Sequence, residues 1–478
     1  MTAVDWVFVA LYFALLVLIG VQSIRRIRSS DDFAVAGARI TWPILFATVA
    51  ASFLGGGSAM GNAGNVFTSG YVFMFAFFAF GLQTVLVGGF VAHKLRRYEG
   101  AHTVGDVMEV HYGKGARLVT GLLSLGLCVG ILGGQVLAVG TLLKTVFGFP
   151  ELVGILIGMG IVLLYSTFGG MWAVVQTDVL QFVVLGVFIP LTLIVGLFRV
   201  GGPGALVSHV SHVAPDHLGF LGSWTPALFI GTFVTFLFGE TLTPPFTQRA
   251  FSARNPRAAR RAYLTTGVFS LGFYFVTATI GLIALVLYPH IQPDQALPTV
   301  VLRLLPVGVV GFTLAALLAV IQSTASSYLN STAIVFVKDL YIPFVRPGAS
   351  DRHRLVAQRV VTFVVGAAAV GFALVAPSII GAFVIAYNLW APTVVIPLVA
   401  AVVWGLRSPS AGLAAMICGG AATALWEWGM DEPYGLSGIV VGVLVNALVF
   451  AGTYVFAPRH PRLLQHTESA LAVKGAVR

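Results

Sequence analysis

The chain is 478 residues long, 58% hydrophobic and 9% charged, with a mean hydropathy of +0.95. Soluble domains carry about 25% charged residues, so composition alone excludes a soluble enzyme or binding domain and marks a polytopic membrane protein. The net charge of +10, from 27 basic and 17 acidic residues, reads as Lys and Arg gathered in cytoplasmic connections and not as a nucleic-acid footprint.

At about 20 apolar residues per span the chain has room for a dozen or so helices, and its apolar runs are too long for a barrel of short strands. The first predicted span, 6–21, is followed by Arg25, Arg26 and Arg28. The second, 42–68, is interrupted by Gly55, Gly56 and Gly57. Each glycine costs a helix on the order of 1 kcal/mol, and a break at membrane depth is tolerated only where the backbone is covered by protein or lines a cavity. Span three, 73–92, ends in His93, Lys94, Arg96 and Arg97. A connector holding Lys114 and Arg117 leads to span four at 119–146, then five at 152–168 and six at 174–198.

A segment from 201 to 222 contains no Lys or Arg and is expected to be an external loop. Span seven, 226–242, gives way to a basic connection read as Arg249, Arg254, Arg257, Arg260 and Arg261. Span eight is 264–287 and span nine 307–337, the latter ending in Lys338, with Arg346, Arg352 and Arg354 beyond. Spans at 360–375, 379–404, 411–426 and 438–456 complete thirteen, before Arg459 and Arg462. Basic residues crowd alternate connections, which puts the N-terminus outside and the C-terminus, with its short tail 458–478, in the cytoplasm of a cell whose inner membrane the chain spans. Cys128 and Cys418 lie in apolar segments and read as free thiols.

Within span nine the sequence LAALLAVIQSTASSYLNSTAIVFVKDLY places Ser323, Thr324, Ser326, Ser327, Ser331 and Thr332 where a lipid-facing helix carries Leu or Val. Hydroxyls three and four positions apart share a helix face. Such an oxygen stripe suits a hard cation, and equally suits close helix packing with bonds back to the helix's own carbonyls. The broken helix at Gly55 adds backbone carbonyls of the kind that coordinate Na⁺ near the bilayer midplane. Asp178, near the predicted start of span six, is a costly membrane acid that needs a partner. Few other acids lie within the spans, which favours a cation at Asp178 over an interfacial carboxylate in water.

The stretches ASFLGGGSAMG at 51–61, GGMWAVVQTDVLQ at 169–181, QRAFSAR at 248–254 and STASSYLNST at 323–332 followed by KDLY resemble the sodium/solute symporters. That family includes the sodium/galactose, sodium/proline and sodium/sialic-acid transporters and relatives of the choline transporter. The motifs stand in the family's order over nearly the whole chain. The resemblance implies an all-α fold with a leucine-transporter-like core of two inverted five-helix repeats, at 42–199 and 223–405. One further helix lies before the core, within 1–30, and two after it, within 409–457. It implies a main sodium site formed by the carbonyls of Ala51, Leu54 and Val320 and the hydroxyls of Ser323 and Thr324. A second sodium, held in some members, would use Asp178, Ser326 and Ser327. Some relatives carry a polar or acidic residue where this chain has Phe53, and a hydroxyl where it has Gly55, which leaves the solute open.

For the solute, a half-helix N-terminus at Gly55, Gly56, Gly57 and Ser58 would favour an anionic group. Asn62, Gln135, Tyr387, Asn388 and Trp390 are polar or amphipathic groups placed to reach the centre, though interhelical bonding explains each as readily. Glu240, ahead of Thr243-Pro244-Pro245, is read as a gate or, better, as the partner of a nearby arginine. His209, His212, Asp216 and His217 read as a solvated loop ahead of a metal site, since no Cys or ordered helix supports a fixed geometry.

The function so implied is sodium-coupled import of a small organic solute across the lipid bilayer by alternating access. Its ion is Na⁺, one per cycle or two, and it involves neither nucleic acid nor an obligatory protein partner. A sodium-independent facilitator or a transporter-derived sensor is the alternative. A membrane enzyme is disfavoured because all ten histidines fall in predicted loops or the tail.

Overall fold

In the computed structural model, which describes residues 2–24, 34–376 and 378–456, the chain is helical throughout, with no strand among the described residues. The basic residues Arg25, Arg26 and Arg28 and the tail 458–478 lie outside the described residues. In chain order the helices are α1 (Ala3–Ile24), α2 (Trp42–Phe53), α3 (Gly57–Ser69), α4 (Tyr71–Leu95), α5 (Val104–Tyr112), α6 (Lys114–Phe147), α7 (Glu151–Arg199) and α8 (Pro203–Val213). There follow α9 (Pro226–Gly239), α10 (Pro244–Ser252), α11 (Pro256–Leu287), α12 (Ala296–Leu304), α13 (Val309–Val345) and α14 (Asp351–Ala373). The last three are α15 (Ile379–Trp404), α16 (Pro409–Gly429) and α17 (Gly438–Phe456).

Among the described residues nine helices are long and apolar enough to cross a membrane, and eleven spans result when the bent pairs α2–α3 and α9–α10 each count as one. Two shorter apolar helices, Ala3–Leu16 and Glu151–Gly160, fall below the length of a full span. The thirteen expected from sequence are reached only if both are added. Predicted spans five and six follow one another in α7 and are separated by a break at Gly170, whose φ of 50° and ψ of −158° are non-helical values that only glycine adopts freely.

Two breaks organise the centre. At the first, Leu54 leaves helical geometry (φ −93°, ψ 58°) and the chain turns by 60° into α3. The Gly56 N–H donates to Gln135 Oε1 of α6 at 2.9 Å instead of into its own helix. The second break bends by 43° between α9 and α10, with Leu242 in the left-handed region and Pro244 and Pro245 restarting the helix. The two pairs meet at their far ends: Ile40 N–H donates to the Ser252 carbonyl at 3.1 Å and Arg254 N–H to the Ile40 carbonyl at 2.8 Å.

Burial separates core from rim. In α13, 89% of the apolar window is buried, against 28% in α14 and α17. α13 packs against α1, α6, α7 and α2, so its hydroxyl stripe is covered by protein on every side. Residues 201–222, expected as a loop, contain the helix α8 and a 3₁₀ turn. Pro203 starts α8, and Leu206 and Val210 are buried beneath it. His217 lies in the following turn with Nε2 3.2 Å from the Phe67 carbonyl, and no group of three metal-ligating side chains occurs among the described residues.

Candidate functional site

The hydroxyl stripe of α13 faces the break between α2 and α3. Thr324 Oγ1 donates to the Ser52 carbonyl at 2.8 Å, and Ser323 Oγ stands 3.5 Å from Ser52 Oγ. A Cβ at position 55 would collide with the Thr324 hydroxyl and lie 2.8 Å from Gln135 Nε2, so only glycine lets the two helices come this close. Ala51, Leu54, Val320 and Ser323 are fully buried and Thr324 nearly so. Main-chain carbonyls at a helix break and hydroxyls from a facing helix thus meet in a dry contact made of oxygen, the ligand type a hard cation takes.

Beside this contact lies a charged cluster. Asp178, expected near the start of a span, sits in the body of α7 with no exposed surface. Its Oδ1 accepts from Ser323 Oγ at 2.5 Å. Its Oδ2 accepts from Thr48 Oγ1, from Ser52 Oγ at 3.2 Å and from Arg249 Nη2 at 2.8 Å. Arg249 is itself wholly buried. Its Nη2 also donates to Ser52 Oγ at 2.5 Å and Ser327 Oγ at 2.6 Å, its Nε to Thr48 Oγ1 at 3.1 Å and its Nη1 to the Pro245 carbonyl at 3.1 Å. The sequence reading of Arg249 as part of a basic connection is therefore corrected. α10 carries it inward from the second break, and the desolvated charges of α7 and α10 offset one another. Ser326 Oγ and Ser327 Oγ both donate to the Ser323 carbonyl, at 3.0 and 2.7 Å, and Ser327 Oγ also accepts from Arg249 Nη2 and stands 2.9 Å from Ser52 Oγ.

The residues read as solute contacts fall into two groups. Tyr387 and Trp390 lie at the second break: Tyr387 Oη donates to Glu240 Oε2 at 3.3 Å and Trp390 Nε1 to the Thr241 carbonyl at 2.8 Å. The others are held by neighbours. Gln135 secures the first break, Ser58 Oγ donates to the Phe53 carbonyl at 3.2 Å, and a Cβ at Gly56 would stand 2.8 Å from Ala138 and at Gly57 would strike the Phe383 ring. Asn62 Nδ2 donates to α11 at the Tyr274 carbonyl (2.9 Å) and Thr277 Oγ1 (2.8 Å). Asn388, also buried, donates instead to the Glu427 carboxylate of α16. Glu240 closes α9 and accepts from the Tyr328 and Tyr387 hydroxyls, with no arginine paired to it among the described residues; nearby Arg249 is bound to Asp178.

A second ionic knot lies where α5 and α6 meet the end of α13. Arg117 pairs with Asp106 at 2.7 Å, with Glu109, and with Asp339 at 3.2 Å, and Thr103 Oγ1 donates to Asp339 at 2.6 Å. Thr103 and Asp106 also form the capping box of α5.

Comparison with known proteins gives the geometry a context. The model of the sodium:solute symporter family matches residues 33–419. The chain is 26% identical over 392 residues to the sodium/glucose cotransporter of Vibrio parahaemolyticus, covering 74% of this chain and 71% of that protein. It is 28% identical over 396 residues to the high-affinity choline transporter 1 of Drosophila melanogaster, covering 78% of this chain and 62% of the other. In fold it is similar to a Na⁺-coupled sialic acid symporter solved in a substrate-bound outward-open state, with a TM-score of 0.81, 21% identity, and 96% and 99% of the two chains covered.

Proposed function

The chain belongs to the sodium:solute symporter family, and from that premise we propose that it couples downhill Na⁺ entry to uptake of a small organic solute. The family and the fold shared with a Na⁺-coupled symporter support sodium-coupled symport in a multi-pass membrane protein. In this reading α2–α3 through α7 form one inverted repeat and α9–α10 through α15 the other, with α1 before the repeats and α16 and α17 after them. Arg and Lys in alternate connections set the N-terminus outside and the C-terminus in the cytoplasm.

The transported Na⁺ binds between the first break and α13. Its ligands are the carbonyls of Ala51, Leu54 and Val320 and the hydroxyls of Ser323 and Thr324. The observation that carries this assignment is the Thr324 hydroxyl on the Ser52 carbonyl at 2.8 Å, which brings the stripe to the one place where α2 gives up its helical bonds. An ion that replaces this bond draws α2 and α13 together, and so favours whichever conformation keeps them apposed. By linkage, solute that prefers the same conformation tightens Na⁺ by the same factor.

One Na⁺ per cycle is the reading favoured for the arrangement seen here. Arg249 Nη2 lies among Asp178, Ser52 and Ser327, the oxygens that a second ion would need. A second ion at Asp178, Ser326 and Ser327 requires Arg249 to withdraw. Ser323 touches both centres through its bond to Asp178, which ties the ion site to the charged pair.

The test is uptake into proteoliposomes of a panel of labelled sugars, amino acids, monocarboxylates and amines, with an inward Na⁺ gradient or with K⁺ in its place. At least one solute accumulates only with Na⁺. Accumulation equal in Na⁺ and K⁺ would establish a sodium-independent facilitator instead.

A further inference from the structure

We propose that the acceptor-lined cavity beside the second break receives a protonated amine of the transported solute, with Glu240 as its counter-ion. This names the solute class of the symport reading above and rests on it.

Glu240 is buried, 8% exposed, at the end of α9. Its two oxygens are met by the hydroxyls of Tyr328 and Tyr387, and it makes no ion pair among the described residues. A carboxylate held in the membrane interior without a cation marks a site for one. Lining the same small cavity is Gln83 of α4, 4% exposed, whose Oε1 has no donor among the described residues. The two hydroxyls on the same wall spend their protons elsewhere: Thr84 Oγ1 donates to the Phe80 carbonyl at 2.9 Å and Tyr263 to the Phe246 carbonyl. Toward the cavity, then, the Glu240 carboxylate, the Gln83 carbonyl and the two hydroxyl oxygens offer acceptors, and the Gln83 amide nitrogen is the one side-chain donor among them. A ligand carrying several N–H donors and a positive charge satisfies them together; an anion meets a carboxylate, and a neutral polyol leaves the charge unpaired.

The walls argue against a bare metal ion. Phe53, Phe246 and Tyr263 line the cavity, and the Phe53 ring lies 5.1 Å from that of Phe246. Aromatic faces attract an ammonium group and pack against its carbon skeleton, whereas a hard cation asks for six or more oxygens. In this arrangement the cavity measures about 10 Å³ for the centre of a water-sized sphere, room for a single water. Larger solutes therefore enter only when the broken helices part, and both breaks border the cavity, through Phe53 on one side and Glu240 and Leu242 on the other.

The test is thermal unfolding of the purified full-length protein, in Na⁺ or K⁺, with phenylethylammonium, its neutral analogue 3-phenylpropan-1-ol or its anionic analogue 3-phenylpropionate. Phenylethylammonium raises the melting temperature of the wild type in Na⁺ and the other two do not. In Glu240→Gln its half-saturating concentration rises roughly 30-fold or more, as loss of one partner of a buried charge pair implies, while the shift produced by Na⁺ alone persists. Glu240→Asp, which keeps the charge, regains part of the response. The proposal is overturned if no ammonium effect appears in the wild type, or if the neutral or anionic analogue stabilises wild type and Glu240→Gln alike. A melting temperature that tracks pH in the wild type but not in Glu240→Gln, with no ammonium effect, would assign the carboxylate to a proton and overturn it too. Absence of any shift with Na⁺ alone is a separate failure, and counts against the sodium site and not against Glu240.

Discussion

Replacing Arg249 by Met should make the protein's stability depend on sodium in a way that replacing Asp178 by Asn does not. Arg249 makes five bonds to α2, α7, α10 and α13, three of them from Nη2, and neither it nor Asp178 has any exposed surface. Removing the guanidinium strands a carboxylate in a dry interior, at a cost of about 3–5 kcal/mol. The vacated position is bounded by Asp178 Oδ2, Ser52 Oγ and Ser327 Oγ, all within 2.8 Å of the lost nitrogen. Na⁺ can fill it, and at 100 times its dissociation constant returns about 2.7 kcal/mol. Asp178→Asn strands a cation instead, and no added cation relieves that. The assay is thermal or urea unfolding of both variants and the wild type across a Na⁺ titration balanced with K⁺. The wild type shows the increment of the main site alone. Arg249→Met shows that increment plus a second, and Asp178→Asn shows no second increment. Equal sodium increments in the two variants would refute the claim that Arg249 stands where a cation would bind.

Ser323→Ala and Thr324→Ala should each abolish Na⁺-stimulated uptake in proteoliposomes while leaving a folded, monodisperse protein, since each removes one oxygen and little volume; normal uptake by both would remove them from the ion site. Gly55→Ala should cut Na⁺-stimulated uptake at least as severely, because its Cβ would push the Thr324 hydroxyl and the Gln135 amide away from the break; wild-type uptake by this variant would show that the close approach is not needed. Arg117→Gln leaves Asp106, Glu109 and Asp339 unpaired at 1–13% side-chain exposure, so the melting temperature should fall, by the equivalent of about 3–5 kcal/mol; a fall no greater than that of a surface Lys144→Gln control would mean the knot is not structural.

What the sequence made legible were features that violate a local expectation. Three glycines in a membrane helix and six hydroxyls on another are errors unless something compensates, and the fold brings the two together. Asp178 announced itself as an acid in an apolar segment, and the need for a partner followed. The partner did not, because pairing is tertiary. Arg249 stands five residues before Arg254 and resembles every other arginine of a basic connection until α10 is seen turning inward. The flanking Gln248, Ala250 and Phe251, all buried, were the available signal, since a solvated connection seldom runs polar and apolar residues that evenly. Glu240 was assigned an arginine by the same local logic and was equally wrong, as the hydroxyls that meet it come from positions 328 and 387. α8 was missed through length: Pro203 with Leu206 and Val210 at helical spacing marks a surface helix too short to be a span. Asn388 shows the limit of reading depth from a linear helix, since its neighbours Tyr387 and Trp390 face the second break while it donates to Glu427 of α16.

Equilibrium binding of ²²Na⁺ to the purified protein tests the central claim most directly, with wild type, Ser323→Ala/Thr324→Ala and Asp178→Asn compared side by side. The account predicts saturable binding of one ion per wild-type chain, its loss in the Ser323/Thr324 double variant, and its retention at the same stoichiometry in Asp178→Asn. Undiminished binding in the double variant would contradict the placement of sodium between the α2–α3 break and α13.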